Sequence, residues 1–70
     1  MKTKFAQRLK ELRKENNISQ KQLSKAIGYS QPIISQWESE IYEPTASAIV
    51  VVAEYFNVCT DYLLGRKDIY

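Results

Sequence analysis

The 70-residue sequence contains no histidine and a single cysteine, Cys59. That removes the imidazole base, the Ser–His and Cys–His nucleophile pairs, His-ligated zinc and any cysteine metal cluster. Paired carboxylates and a glycine-rich phosphate loop are missing too, so the reading is of a non-enzyme that holds no cofactor and no metal. The informative unit is residues 19–38, whose polar side chains include the amides, hydroxyls and ammonium groups of Gln20, Lys21, Lys25, Ser30, Gln31, Ser35 and Gln36 and the carboxylate of Glu38. Their chemistry is hydrogen bonding and charge pairing.

One small domain is all this length allows. The net charge is +2, and this total hides a split. Residues 1–28 hold eight basic and two acidic side chains, whereas residues 29–70 hold two basic and six acidic ones. The apolar stretch 46–53 is eight residues long, far short of the roughly 20 that span a bilayer. The basic N-terminus leads into an amphipathic pattern and not a signal-peptide core. A lone cysteine suits a reducing compartment. A cytoplasmic protein without a membrane partner is expected. Met1 reads as a natural start, and at this length a protein without a ligand-sensing second domain is the expectation, with the N-terminal domain of a longer protein left open.

The positioning elements follow from local signals. Phe5, Leu9 and Leu12 recur at helical spacing and predict a first helix over residues 4–16. Ser19-x-x-Gln22 is a capping box that opens a second helix, with Leu23, Ala26 and Ile27 inward and Gly28 as its stop. Ser30 caps a third helix, with Pro32 harmless in its first turn, Ile33, Ile34 and Trp37 supplying apolar contacts, and an end near Ser39. Residues 39–44 form a loop, since Pro44 pushes its predecessor out of helical geometry. Thr45 caps a fourth helix over 46–56 with Ile49, Val52, Ala53 and Phe56 inward. A fifth runs over 60–64 and stops at Gly65. Two eight-residue helices joined by a tight turn at residues 27–30 give helix-turn-helix geometry over about 19–38. In that geometry the first helix crosses a phosphate backbone and the second puts its N-terminal residues into the major groove. The expected fold is all-α, a domain over 1–65 followed by a frayed tail over 66–70.

The string RLKELRKENNISQKQLSKAIGYSQPIISQWE, followed by Pro44 and YFNVCTDYLLG, resembles the Cro/cI-type (XRE-like, lambda-repressor-like) helix-turn-helix family. The most specific pieces are Arg8-Leu9 with Leu12-Arg13, Ile18-Ser19-Gln20 with Leu23, Ala26 and Gly28, Ile34-Ser35 with Glu38, and Asp61-Tyr62-Leu63-Leu64-Gly65. The resemblance covers about residues 5–65 and implies a compact five-helix DNA-binding domain. It implies that Gln31, Pro32, Ser35 and Gln36 read bases; glutamine pairs bidentately with adenine, and Pro32 would touch a thymine methyl or stiffen the first turn. Gln20, Lys21, Lys25, Ser30 and Tyr42 would meet phosphates. Arg13 and Glu38 would form a structural ion pair between the first and third helices. Trp37 would lie in the core, and Cys59 would be a small half-buried apolar residue.

Two departures qualify the resemblance. The loop 39–44 carries Glu40 and Glu43, with Ile41 and Tyr42 where basic residues are frequent, leaving backbone amides and the Tyr42 hydroxyl to meet phosphate. Basic groups would then come from Lys2, Lys4, Arg8, Lys21 and Lys25. Val51, Tyr55 and Tyr62 could form an exposed apolar patch through which a homodimer assembles on double-stranded DNA. The leading expectation is a prophage- or mobile-element-type repressor; the alternative is a protein-interaction module on the same fold, antitoxin-like or repressor-associated, kept open by the acidic loop.

Overall fold

The computed structural model describes residues 3–70. Among them five helices follow one another without a strand: α1 (Phe5–Glu15), α2 (Gln20–Ile27), α3 (Gln31–Glu38), α4 (Ala46–Phe56) and α5 (Thr60–Leu64). Each begins where a short polar side chain takes up an amide that the helix cannot satisfy itself; at α1 it is Thr3, whose Oγ1 accepts from the Phe5 amide at 3.3 Å. Ser19 Oγ accepts from the Gln22 amide at 3.0 Å while Gln22 Oε1 accepts from the Ser19 amide at 2.7 Å, a reciprocal capping box. Thr45 Oγ1 caps α4 through the Ala48 amide at 3.1 Å. Cys59 turns out to be the cap of α5, its Sγ accepting from the Tyr62 amide at 3.3 Å. A thiol is a weak acceptor, which is why the sequence reads it as apolar filler.

Every helix also ends on the same device. The positive-φ residues among those described are Asn17 (55°), Gly28 (80°), Glu40 (61°), Asn57 (57°) and Gly65 (86°), one just beyond each helix. After α1 the Asn17 and Ile18 amides turn back onto the Lys14 and Arg13 carbonyls, at 3.2 and 3.0 Å. After α3 the Glu40 and Ile41 amides turn back onto Trp37 and Gln36, at 3.2 and 3.0 Å. The same paired closure follows α4 and α5, and α2 closes with the single Gly28-to-Ser24 bond at 3.0 Å. The left-handed conformation costs an L residue about 1–2 kcal/mol. Glycine and asparagine tolerate it; Glu40 stands in this position without either advantage.

The core joins Phe5, Leu9 and Leu12 of α1, Leu23 of α2, Ile34 and Trp37 of α3, Ala48, Val52 and Ala53 of α4, and Tyr62 and Leu63 of α5. Full burial of a leucine- or phenylalanine-sized side chain contributes about 1.5–3 kcal/mol, so this set closes five short helices that could not persist alone. Trp37 meets the Phe5 ring edge-on at 5.8 Å and the Tyr29 ring at 5.2 Å between centroids. α1 packs on α3 and α5, α2 on α3 and α4, and α4 on α5. No helix among the described residues is long and apolar enough to cross a membrane.

Three expectations need correction. Ala26 is exposed, because Leu23 and Ile27, four residues apart, already form the inner stripe of α2. Ile33 is 39 % exposed: the buried face of α3 is Ile34, Trp37 and Glu38, and Ile33 lies to one side of it. Residues 66–70 are not frayed. The Arg66 amide bonds the Asp61 carbonyl at 2.7 Å, the Tyr70 carbonyl accepts from the Cys59 amide at 3.0 Å, and the Tyr70 hydroxyl donates to Glu15 Oε1 at 2.7 Å. The chain therefore folds back across α5 toward the end of α1.

Candidate nucleic-acid interface

The arrangement of α2 and α3 rests on one carboxylate. Glu38, at the last turn of α3 and only 6 % exposed, accepts from Arg13 Nε at 2.6 Å, Arg13 Nη2 at 2.8 Å and Gln20 Nε2 at 3.0 Å. Arg13 also donates Nη1 to the Ile18 carbonyl at 3.1 Å. These bonds tie the end of α1, the approach to α2, the first residue of α2 and the end of α3 to one another. Hydrogen bonding to Glu38 raises the Arg13 pKa above its ordinary value, against desolvation, which lowers it. A buried charge is tolerable when charge-assisted bonds replace its water, and here Arg13 and Gln20 supply three.

The turn between the two helices is set by Ser24. Its hydroxyl donates to the Tyr29 carbonyl while its own carbonyl accepts from Gly28. Tyr29 in turn lies against Trp37. Reading the sequence passes over Ser24; its signal is a hydroxyl in the last turn before a helix-stopping glycine, positioned to bond the carbonyl beyond the turn.

With Ile34, Trp37 and Glu38 facing inward, the remaining residues of α3 face out. Gln31 and Pro32 are exposed in the first turn, and Ser35 and Gln36 are half-buried one turn on. Ser30 is exposed and its Oγ accepts from the Ile33 amide at 3.4 Å, so its capping role is realised. Lys21 and Lys25 are exposed and four residues apart on α2, one turn of the same face. Gln20 is half-buried and its amide nitrogen donates one of its two hydrogens to Glu38, which makes it a brace between α2 and α3.

Several residues expected at this surface do other things. Arg8 is 7 % exposed. Its guanidinium lies over the Tyr62 ring at 4.1 Å and donates to the Lys67 carbonyl and to Asp68 Oδ1, each at 3.3 Å. It is thus a packing residue between α1, α5 and the tail. Lys4 is exposed just before α1, with its amide on the Leu64 carbonyl at 3.3 Å; Lys2 lies outside the described residues. The Glu40, Ile41 and Tyr42 amides are all directed to α3 carbonyls, so they do not face outward as phosphate donors. The Tyr42 side chain is 61 % exposed.

The apolar patch expected around α4 loses a member. Tyr62 is 6 % exposed, covered by the Arg8 guanidinium and by the Tyr70 ring, edge-on at 4.7 Å. The sequence gives no sign that the tail returns to cover it. Val51 is half-buried and Tyr55 is exposed, with Val50 exposed beside them.

Fold and site together define a five-helix, lambda-repressor-like domain built around a helix-turn-helix unit. The Helix-turn-helix family pattern matches residues 9–63, and the chain belongs to this family, in its Cro/cI-type branch. The chain is 33 % identical over 64 residues to the HTH-type transcriptional regulator YobD of Bacillus subtilis (strain 168), covering 91 % of this chain and 57 % of YobD. It is 29 % identical over 65 residues to the HTH-type transcriptional regulator ImmR of the same organism, covering 93 % and 51 %. This chain thus spans about half the length of these relatives. The crystal structure of the P22 c2 repressor in complex with a synthetic operator superposes with a TM-score of 0.82 at 32 % identity, covering 90 % of this chain and 96 % of that one.

Proposed function

We propose that this chain is a sequence-specific DNA-binding transcriptional regulator, a repressor of the prophage or mobile-element type acting in the cytoplasm. The carrying observation is the outward face of α3, where Gln31, Pro32, Ser35 and Gln36 face away from the core at the leading end of a braced helix. A helix with side chains is about 10–12 Å across, and the major groove is about 12 Å wide. Gln31 offers an amide that pairs bidentately with adenine, and Pro32 an apolar surface beside it. Lys21 and Lys25 on α2, with Gln20, Ser30 and the Tyr42 hydroxyl, supply phosphate contacts that set register but carry no sequence information. The likeness to a repressor bound to its operator supports this reading.

A homodimer with two half-sites about one helical turn apart is part of the proposal. Its candidate contact is the side of α4 bearing Val51 and Tyr55, joined now by Val50 in place of the buried Tyr62. The test is selection from a pool of random duplexes. Enrichment of a two-fold symmetric site supports both DNA reading and dimeric binding. Recovery of no enriched sequence, with no binding to random duplex at micromolar protein and low salt, would favour a protein-interaction module.

A further inference from the structure

Residues 66–70 lie across α5, and none of them contributes to the core. What they cover is Tyr62. The Tyr62 ring lies under the Arg8 guanidinium at 4.1 Å and meets the Tyr70 ring edge-on at 4.7 Å. Arg8 is itself fastened there by the tail, through the Lys67 carbonyl and Asp68 Oδ1. The fastenings lie near solvent. The Asp68 side chain is 92 % exposed, Ile69 79 % and Tyr70 59 %, and Glu15, which accepts from the Tyr70 hydroxyl, is exposed as well. Exposed pairs compete with water and contribute little. The segment can lift with the rest of the core intact, and its lifting uncovers Tyr62.

The proposed contact between copies needs more surface than this closed form offers. A stable interface takes about 800 Å² from each partner, more than a sixth of the 4506 Å² that this chain exposes. A whole aromatic side chain covers about 150–250 Å². On the apolar side of α4, Val50 and Tyr55 are each less than half exposed and Val51 is half-buried, so this side falls well short. α4 packs on α5, and the half-buried Val58 and Cys59 join them. The apolar surface that continues from α4 is thus Tyr62, beneath the tail.

We propose that residues 66–70 are a strap: closed over Tyr62 it keeps the free chain monomeric, and a second copy of this chain displaces it to pack on Tyr62 and the apolar side of α4. This rests on the proposed homodimer and adds its regulation. Displacing the strap sets a threshold for association. Two copies held on adjacent half-sites meet at a high effective concentration and cross that threshold, whereas free copies do not. The duplex thereby decides when the dimer forms.

The experiment is sedimentation equilibrium of the full chain and of Tyr70→Ala over a concentration series, free and on the selected duplex, with amide hydrogen exchange followed at Cys59. The Cys59 amide donates to the Tyr70 carbonyl and so reports whether the strap is closed. Tyr70→Ala removes the ring from Tyr62 and the bond to Glu15. It should speed exchange at Cys59 and tighten self-association of the free chain by about threefold to thirtyfold. A tail that merely supports the fold predicts the opposite sign, weaker association. The circular dichroism melt of Tyr70→Ala should stay within several degrees of the original, which separates an opened strap from a lost fold. Faster exchange with association unchanged or weaker overturns the strap and leaves the homodimer intact. Unchanged exchange at Cys59 also overturns it, since Tyr70 then does not hold the tail. Free monomers of both proteins with two copies on the selected duplex overturn the strap alone. A single copy on that duplex at every concentration overturns the strap and the homodimer together.

Discussion

Arg13 on α1 and Glu38 on α3 face each other in a two-point ion pair, Nε to Oε2 at 2.6 Å and Nη2 to Oε1 at 2.8 Å. Gln20 of α2 adds a third bond to the same carboxylate at 3.0 Å. The proposed recognition helix is thus held at its far end by both preceding helices. The pair is structural and costly to break, because removing Arg13 leaves a buried carboxylate with one neutral donor. Arg13→Met should cost about 3 kcal/mol or more in urea unfolding. Arg13→Met combined with Glu38→Leu should recover most of that loss, since no buried charge is left behind. A single-substitution cost below about 1 kcal/mol would mean that solvent reaches the pair.

Glu40 occupies the left-handed position that closes α3, with φ of 61°. The two bonds that close the helix, from the Glu40 and Ile41 amides, are backbone bonds and survive substitution. Glu40→Gly should therefore raise stability by less than about 1 kcal/mol, the relieved strain less the added entropy of the unfolded chain and the contacts of the Glu40 side chain that are lost. Glu40→Asn should shift it in the same direction by less. A lower melting temperature for Glu40→Gly would show that the side chain contributes more than its conformation costs.

The Tyr70 phenol donates to Glu15 at 2.7 Å and its pKa is pushed up to about 12, chiefly by that hydrogen bond. A phenol with a folded pKa above its unfolded value of about 10 stabilises the fold below pH 10. That contribution is lost as pH rises toward 12. Ultraviolet titration should show Tyr70 ionising above the ordinary tyrosine range, and Glu15→Gln should move it back toward that range. An unchanged titration in Glu15→Gln would remove the tail-to-α1 bond from the account.

Lys21 is exposed on the first turn of α2 and is proposed to meet a phosphate. Lys21→Ala should weaken selected and random duplexes alike and reduce the slope of log affinity against log salt by about one. A loss confined to the selected site would move Lys21 from phosphate contact to base reading.

Much of this was legible in the sequence because it is local. Ser19-x-x-Gln22, Ser30, Thr45, Gly28 and Gly65 mark helix ends within a few residues of themselves, and the ends fall there. The Arg13–Glu38 pair, 25 residues apart, could be anticipated only through family resemblance. What remained hidden depends on where distant chain meets. Arg8 reads as a basic surface residue until Tyr62, Lys67 and Asp68, more than 50 positions away, come to surround it. Tyr62 reads as exposed until the tail covers it. Helical spacing locates a stripe but not its width, so it assigns Ala26 to the inner face and apolar contacts to Ile33 where a neighbour in each helix already fills the face.

The central claim is that the first turn of α3 reads bases. It is tested most directly by the ratio of affinities for the selected site and for random duplex, measured at one salt concentration for the original chain and for Gln31→Ala. The original chain should prefer its site by about a thousandfold or more. Gln31→Ala should lose about 1–3 kcal/mol of that preference, with random-duplex binding unchanged, and relax selection at a single base pair. Equal preference in the two proteins would contradict the account.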